Sequence, residues 1–359
     1  LQVADKMRAM LLDTSEDTIE AVGKVQELLI GVTTKASTAH THYAKQVVDS
    51  IMDEMQAVAR GEASIGLTTG FTDIDNISRL HGGKLWVVGG NTGMGKSVVM
   101  INVILRLLVD DVPVLVFSSE MNEREYTRRL MVCLMAQYQP DGRTITTQML
   151  QNPQGMTKAE LDYVGRAATK VAQLPLVISD IPNPSPSEVE AAIVKHQRQD
   201  GVQAVFVDGI YRMDTDYTIQ DRREQVSHIV RKLKNMALRW GVPIVASHQA
   251  NREAPKRQDK RPRLEDMADS SVVEQEADII AFAYRDAYYY DDTDNTVMEL
   301  VVRKNRDGDV GIVKFGYNAP GLRITHYVPP NKTSVELTRD NAIVGDNHMT
   351  RDGRNLADL

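Results

Sequence analysis

The chain is short of cysteine, of excess positive charge and of long apolar runs, and each shortage excludes something. Among its 359 residues Cys133 is the single cysteine, so neither an internal disulfide nor a cysteine metal cage can form, a usage suited to a reducing compartment. Cys133 is expected to be a buried bystander thiol. A formal net charge of −7 excludes a uniformly basic nucleic-acid binder and leaves room for a local basic patch. No apolar run approaches the roughly 20 residues of a membrane helix, and no charged-then-apolar leader opens the chain, so we expect a cytoplasmic protein with no membrane partner. Leu1 stands where a start methionine would, as in a fragment. There is no internal repeat. The eight histidines form no ligand set, and His40 and His42 fall in a polar stretch, so zinc is not expected.

What remains is ordinary for a globular protein: 42% hydrophobic and 25% charged residues, in a chain long enough for a large domain with an appendage. From Leu1 to about Ile30, Val3, Met7 and Met10, then Ile19, Val22, Val25 and Leu29, recur at helical spacing around a polar "DTSED", which predicts a helical hairpin. After the Gly/Thr/Ser-rich "GVTTKASTAHTH" comes a stripe of Tyr43, Val47, Ile51, Met55 and Val58. This is one amphipathic helix, packed on its own domain or on a neighbouring subunit. From Lys84 onward the pattern changes to short apolar runs, "KLWVVGG", "VPVLVFSSE", "LPLVISD", "VQAVFVDG", "VPIVASHQ" and "ADIIAFAY", separated by helix-length segments. Such alternation predicts an α/β fold with a mostly parallel sheet covered on both faces. The clearest helix spans about 224–240, and "VMELVVRK", "GIVKFGY" and "LRITHYV" suit antiparallel additions at a sheet edge.

The stretch Gly90–Asn91–Thr92–Gly93–Met94–Gly95–Lys96–Ser97 satisfies G-x-x-x-x-G-K-[ST], with a strand before it and a helix after it, and these residues with Val98 are the candidate nucleotide cradle. Glycines let successive backbone N–H groups turn inward around phosphate oxygens, and the helix start adds its positive dipole end. Lys96 reaches the β and γ phosphates in such a cradle and Ser97 holds Mg²⁺. Asp208 ends the apolar strand "AVFVD", the position for an acid on the metal side. Hydrolysis of ATP also requires a group that orients or deprotonates water. The residue after Asp208 is Gly209, so that group must come from elsewhere. Glu120 closes the strand after the cradle helix, on the same rim as Lys96 in a parallel sheet. It suits a catalytic base, and it also suits an acidic cap for the next helix.

Beyond these residues, "GLTTGFTDIDNI", the cradle, "VFSSEMNEREYTRRL", "FVDGIYRM", "VPIVASHQANR", "DKRPRLEDM", "VVEQEADIIAFAYRD" and "VRKNRDGDVG" follow in the order found in replicative DNA helicases of the DnaB family, bacterial or phage. The resemblance runs from about Tyr43 to Tyr327. It implies a RecA-like P-loop NTPase core over residues 63–328, preceded by the end of a helical N-terminal domain over 1–32 and a linker with a docking helix over 33–62. A polar tail over 329–359 follows. It further implies an ATP- and Mg²⁺-dependent enzyme in the cytoplasm of a bacterium or a phage-infected host. Ring hexamers of that kind move 5′ to 3′ on single-stranded DNA and work with a primase and a helicase loader. By the same resemblance Glu120 is the base, Asp208 the metal-side acid, and Gln249 a polar sensor of the γ-phosphate, a role that a strand-end amide suits on physical grounds as well. Arg306, with Lys304 as companion, resembles the finger that reaches a neighbour's ATP in trans. Such a run also suits a solvated turn.

The segment Asn251–Arg263 carries six basic and two acidic residues, so Arg252, Lys256, Arg257, Lys260, Arg261 and Arg263 are candidates for gripping DNA phosphates without reading bases. Solvated surface charge is the competing explanation. Ala268, Asp269, Ser270 and Ser271 align with a family DNA loop that usually carries an arginine, absent here, and Asp269 and Ser271 are its candidate contacts. Arg263, Arg261 or Lys260 would have to replace that arginine. Other RecA-like ATPases, such as recombinases and clock-type rings, share the cradle, and a nucleotide-gated loader or scaffold is a further alternative. Glu120 and Arg306 speak against the scaffold.

Overall fold

The computed structural model describes residues 42–62, 65–136, 144–250, 257–267 and 270–328. The predicted hairpin over 1–32 and the tail over 329–359 lie outside these. Contacts divide the chain into two units, Leu1–Ile65 and Gly66–Leu359. In the first, α1 spans Ala44–Ala59 and buries none of its residues. Tyr43, Val47, Ile51 and Met55 are exposed along the predicted stripe, and Val48 and Met52 widen it.

The second unit is built on one nine-stranded sheet. Its elements in chain order are α2 (Thr72–Ile77), β1 (Leu85–Gly89), α3 (Lys96–Val109), β2 (Val114–Ser118), α4 (Glu123–Met135), α5 (Thr147–Gln151), α6 (Lys158–Val171), β3 (Leu176–Ser179), α7 (Pro186–Gln199) and β4 (Ala204–Asp208). After these come α8 (Arg222–Trp240), β5 (Ile244–Ser247), α9 (Ser270–Glu276), β6 (Ile279–Tyr284), β7 (Val297–Asn305), β8 (Gly311–Asn318) and β9 (Arg323–His326). The strand order is β3-β2-β4-β5-β1-β6-β7-β8-β9. The six strands from β3 to β6 pair in parallel, and β7, β8 and β9 extend the sheet antiparallel, as the sequence pattern predicts.

Strand periodicity explains why the central strands read as unbroken apolar runs. In β1, Trp86 and Val88 enter one core with α3 and α4, while Leu85 and Val87 enter a second with α7 and α8. Successive side chains point to opposite faces, and both faces are covered, so polar residues such as Ser118, Asp208 and Ser247 stand only at the C-terminal strand ends. The same division holds for β2 and β4. Helix starts are set by local chemistry. Asn122 caps α4 by accepting from Glu125 N at 2.9 Å, and Thr157 and Ser185 form capping boxes with Glu160 and Glu188 at α6 and α7. Among the described residues no helix is long and apolar enough to cross a membrane.

The antiparallel edge is fastened to α3 by one buried side chain. Asn102 donates to Val98 O at 2.8 Å and Leu322 O at 2.9 Å and accepts from Ile324 N at 3.2 Å. Cys133, buried as expected, also donates to it at 3.4 Å. Burial pushes that thiol up to about 12. Asn102→Ala leaves the Leu322 carbonyl and the Ile324 amide without this partner, and each orphaned buried group costs about 1–3 kcal/mol. We therefore expect urea denaturation of this variant to show a loss of about 2–4 kcal/mol.

Candidate functional site

Because β1, β2, β4, β5 and β6 run parallel, their C-terminal ends form one rim. The loop Gly90–Gly95 leaves β1 on that rim and turns into α3. Gly95 caps the helix at φ 97°, a left-handed conformation that favours glycine. Lys96 Nζ donates to Gly90 O at 2.8 Å and Asn91 O at 3.1 Å. Burial lowers the pKa of Lys96, and the charges of Glu120 and Asp208 oppose that shift. Met94 and Val98 point into the core, so of the cradle residues these two present only backbone to a ligand. Thr92 and Gly93 are exposed.

Asp208 is 3% exposed and links three elements. It accepts from Ser97 Oγ of α3 at 3.0 Å and from Ser247 Oγ of β5 at 2.8 Å. The following Gly209 has φ 110°, a conformation that side-chain-bearing residues rarely adopt. An acid at this position would be strained, which is the physical reason for seeking the base elsewhere. Glu120 lies just past β2 and is open to solvent on the same rim. Partial desolvation raises its pKa, and the nearby Asp208 charge raises it further, against the pull of Lys96, Arg212 and Arg129. The two arginines are absent from the sequence-based site. Arg129 had a readable signal, since it follows the buried Tyr126 by three residues on one face of α4.

Gln249 is half-buried between two anchored neighbours. His248 N donates to Val88 O at 3.0 Å and Ala250 N to Gly90 O at 3.2 Å, so the backbone on either side of Gln249 is stitched to the cradle strand. On the β6 side, Asn91 Nδ2 donates to Tyr289 Oη at 3.1 Å and Arg285 Nη1 to Gly93 O at 3.4 Å. Arg285 also stacks over the Tyr317 ring, 4.6 Å from its centroid. None of these partners was legible, because Tyr289, Arg285 and Tyr317 meet the loop only through sheet order.

Lys304 and Arg306 lie elsewhere. Asn305 pairs with Ile279 and Ile279 with Trp86, so the end of β7 is level with the beginning of β1. At about 3.3 Å per residue the five positions from Leu85 to Gly90 separate the two groups by about 16 Å along the strands. Lys304 Nζ donates to the carbonyls of Glu274 and Ala277, the latter at 2.7 Å. Arg306 donates to Gln275 O and lies 3.8 Å from Asp278 Oδ1. Burial and the Arg306 charge lower the pKa of Lys304.

The basic segment is less uniform than its composition. Arg252, Lys256 and Asp269 lie outside the described residues. Arg257 pairs with Glu265 at 2.9 Å and with Asp266. Arg261 forms a two-pronged pair with Glu299 at 2.6 and 2.9 Å and covers the Tyr284 ring at 5.4 Å. Glu299 is 5% exposed, so Arg261 neutralises a buried carboxylate. Arg263 is the most open of the three arginines, at 58% of its side chain, and pairs only at 3.7 Å with Glu265. Lys260 is half-buried and Ser271 exposed.

A parallel sheet with a G-x-x-x-x-G-K-S loop, a strand-end aspartate on the helix serine and a carboxylate beside them defines a P-loop nucleotide-binding domain of RecA-like fold. Residues 66–326 match the DnaB-like helicase C-terminal domain, and the chain belongs to that family. It is 28% identical over 310 residues to the replicative DNA helicase DnaC of Bacillus subtilis, covering 85% of this chain and 66% of the relative. With replicative DNA helicase DnaB of Haemophilus influenzae the identity is 30% over 280 residues, covering 76% of this chain and 58% of the relative. The chain thus spans about two thirds or less of these relatives. A solved DnaB-like replicative helicase, described with its primase interactions, superposes at a TM-score of 0.73 with 22% identity, over 91% of this chain and 75% of that one.

Arg261→Ala strands the Glu299 carboxylate in the interior, and an uncompensated buried charge costs about 3–5 kcal/mol. Discounting for the partial exposure of Arg261, we expect a loss of about 2–4 kcal/mol in chemical denaturation, against less than about 0.5 kcal/mol for the exposed Arg263→Ala.

Proposed function

We propose that this chain is the motor part of an ATP-dependent replicative DNA helicase, assembling as a ring hexamer that moves 5′ to 3′ on single-stranded DNA. The observation that carries the ring is the placement of cradle and finger on opposite rims of one sheet. Arg306 cannot fold across about 16 Å of strand to its own cradle, whereas a head-to-tail neighbour brings one rim against the other. Family membership supports the polarity and the hexamer. The described primase interactions of the solved relative support a primase as partner, and a helicase loader is proposed on the family resemblance alone.

The residues on the cradle rim fit ATP and Mg²⁺. The ammonium of Lys96 lies over two loop carbonyls that a polyphosphate would replace as partners, the loop amides follow a glycine track, and the oxygens of Ser97 and Asp208 are hard donors suited to magnesium. Bound Mg²⁺-ATP supplies a polarised phosphoryl group. Ser97 and Asp208 would hold the metal, and Lys96 would orient the β and γ phosphates. Glu120 would accept the proton of water. The amide of Gln249, next to Ala250, whose N–H is bonded to Gly90 O, would follow the loss of the γ-phosphate toward the basic segment that comes next in the sequence. Of the predicted DNA contacts, the exposed Arg263 and Ser271 and the half-buried Lys260 would meet phosphates, whereas Arg257 and Arg261, paired with carboxylates, would shape the segment.

Strand displacement on forked DNA tests the whole reading: unwinding is expected only with a free 5′ tail, and unwinding from a 3′ tail alone would overturn the polarity. Lys96→Ala should abolish hydrolysis, and Arg263→Ala should weaken single-strand binding about threefold to tenfold with a shallower salt dependence. The acid limb of the pH–rate profile gives a further test. A base works only when deprotonated, so the raised pKa of Glu120 means that activity falls, as pH drops, at a higher pH than an ordinary glutamate would dictate. In Glu120→Gln that limb should vanish along with at least about 100-fold of the rate.

A further inference from the structure

We propose that Asp278 is the positioning residue for Arg306, holding its guanidinium ready for a neighbouring subunit; this rests on the reading of Arg306 as a finger in trans. Asp278 is 2% exposed, between α9 and β6. Its Oδ2 accepts from Leu85 N at 2.8 Å and from Lys234 Nζ at 2.6 Å. Lys234 is itself buried and also donates to Gly83 O at 2.8 Å. The backbone of β1 and the helix α8 therefore fix the carboxylate in place.

That arrangement leaves Oδ1 facing the rim, where Arg306 Nη1 lies at 3.8 Å and Lys84 Nζ at 3.9 Å. The same residue grips Arg306 a second time, because Arg306 N donates to Asp278 O at 3.0 Å. Lys84 is turned toward Asp307, so it is only a loose competitor for Oδ1. Lys234 already balances the Asp278 charge. The long contact with Arg306 aims the guanidinium without neutralising it, and a phosphate offering two oxygens at hydrogen-bond distance would outcompete it. A group that must reach another molecule's transition state gains from being held near its working geometry beforehand. Asp278 meets this need from a rigid position on the core. A second tether comes from α9, where Gln275 O accepts from Arg306 Nη2, beside the carbonyls of Glu274 and Ala277 that hold Lys304.

The test is hydrolysis by rings of mixed subunits. Asp278→Asn keeps an oxygen for Leu85 N and removes the charge that aims Arg306. Rings of this variant should lose at least about tenfold in kcat with KM for ATP changed less than about twofold, since their cradles are intact. Mixed with Lys96→Ala subunits, whose fingers are intact, they should regain turnover, as Arg306→Ala rings should. Rescue of Arg306→Ala but not of Asp278→Asn, or a rise in KM without a fall in kcat, overturns the positioning role and leaves the finger standing. Rescue of neither overturns the finger itself and the inference with it. If Asp278→Asn fails to fold by circular dichroism, Asp278→Glu, which keeps the charge but displaces it by one methylene, takes its place with the same rescue pattern expected.

Discussion

The carboxylate of Asp208 is the joint on which the nucleotide rim depends. It ends β4, receives the hydroxyl of Ser97 from the first turn of α3, and receives that of Ser247 from the end of β5. Neither hydroxyl would find so well-placed an acceptor without the parallel order that brings β5 between β4 and β1. Since Asp208 is buried, its charge is tolerable only because it is hydrogen-bonded on both oxygens. The start of α3 and the ends of β4 and β5 are thereby joined at one carboxylate. Glu120 remains outside that joint, in a more open setting where its proton affinity can be tuned.

The second organising feature is polarity across the sheet. Parallel strands put the cradle, Asp208 and Glu120 at one end, and the antiparallel β7 carries Lys304 and Arg306 back to the other. A subunit built this way has a donor and an acceptor face separated by the length of its strands. Self-association through those faces is heterologous, and heterologous contacts close into rings when the rotation per step allows. The exposed apolar stripe of α1, with Ile51, Met52 and Met55, is a further surface that an isolated copy leaves uncovered.

Much of this was legible in the sequence, for definite reasons. The cradle, Asp208 and Glu120 are each signalled by a local pattern: a loop spacing, an acid at the end of an apolar run, a carboxylate closing the next run. The sheet could be read because both of its faces are buried, which makes its strands uniformly apolar. The edge strands β7 to β9 were legible as short strand-like runs following one another without helix-length segments between them. Pairings made by topology alone were not legible. Lys234 and Asp278 stand 44 residues apart and Arg261 and Glu299 38 apart, and nothing in either local pattern announces its partner. For that reason Arg261 read as one more cation in a basic run, although its role is to neutralise a carboxylate in β7. Arg285 and Tyr317, which flank the loop, were missed on the same ground.

Gly209 carries a consequence for how this active site can change over time. Glycine and glutamate codons can differ by a single base, so the acid that many ATPases hold at this place is within easy mutational reach. The left-handed backbone at φ 110° penalises that replacement before its chemistry could be of any use. A carboxylate carried just past a separate strand, as Glu120 is past β2, meets no such penalty and leaves the backbone at Asp208 undisturbed.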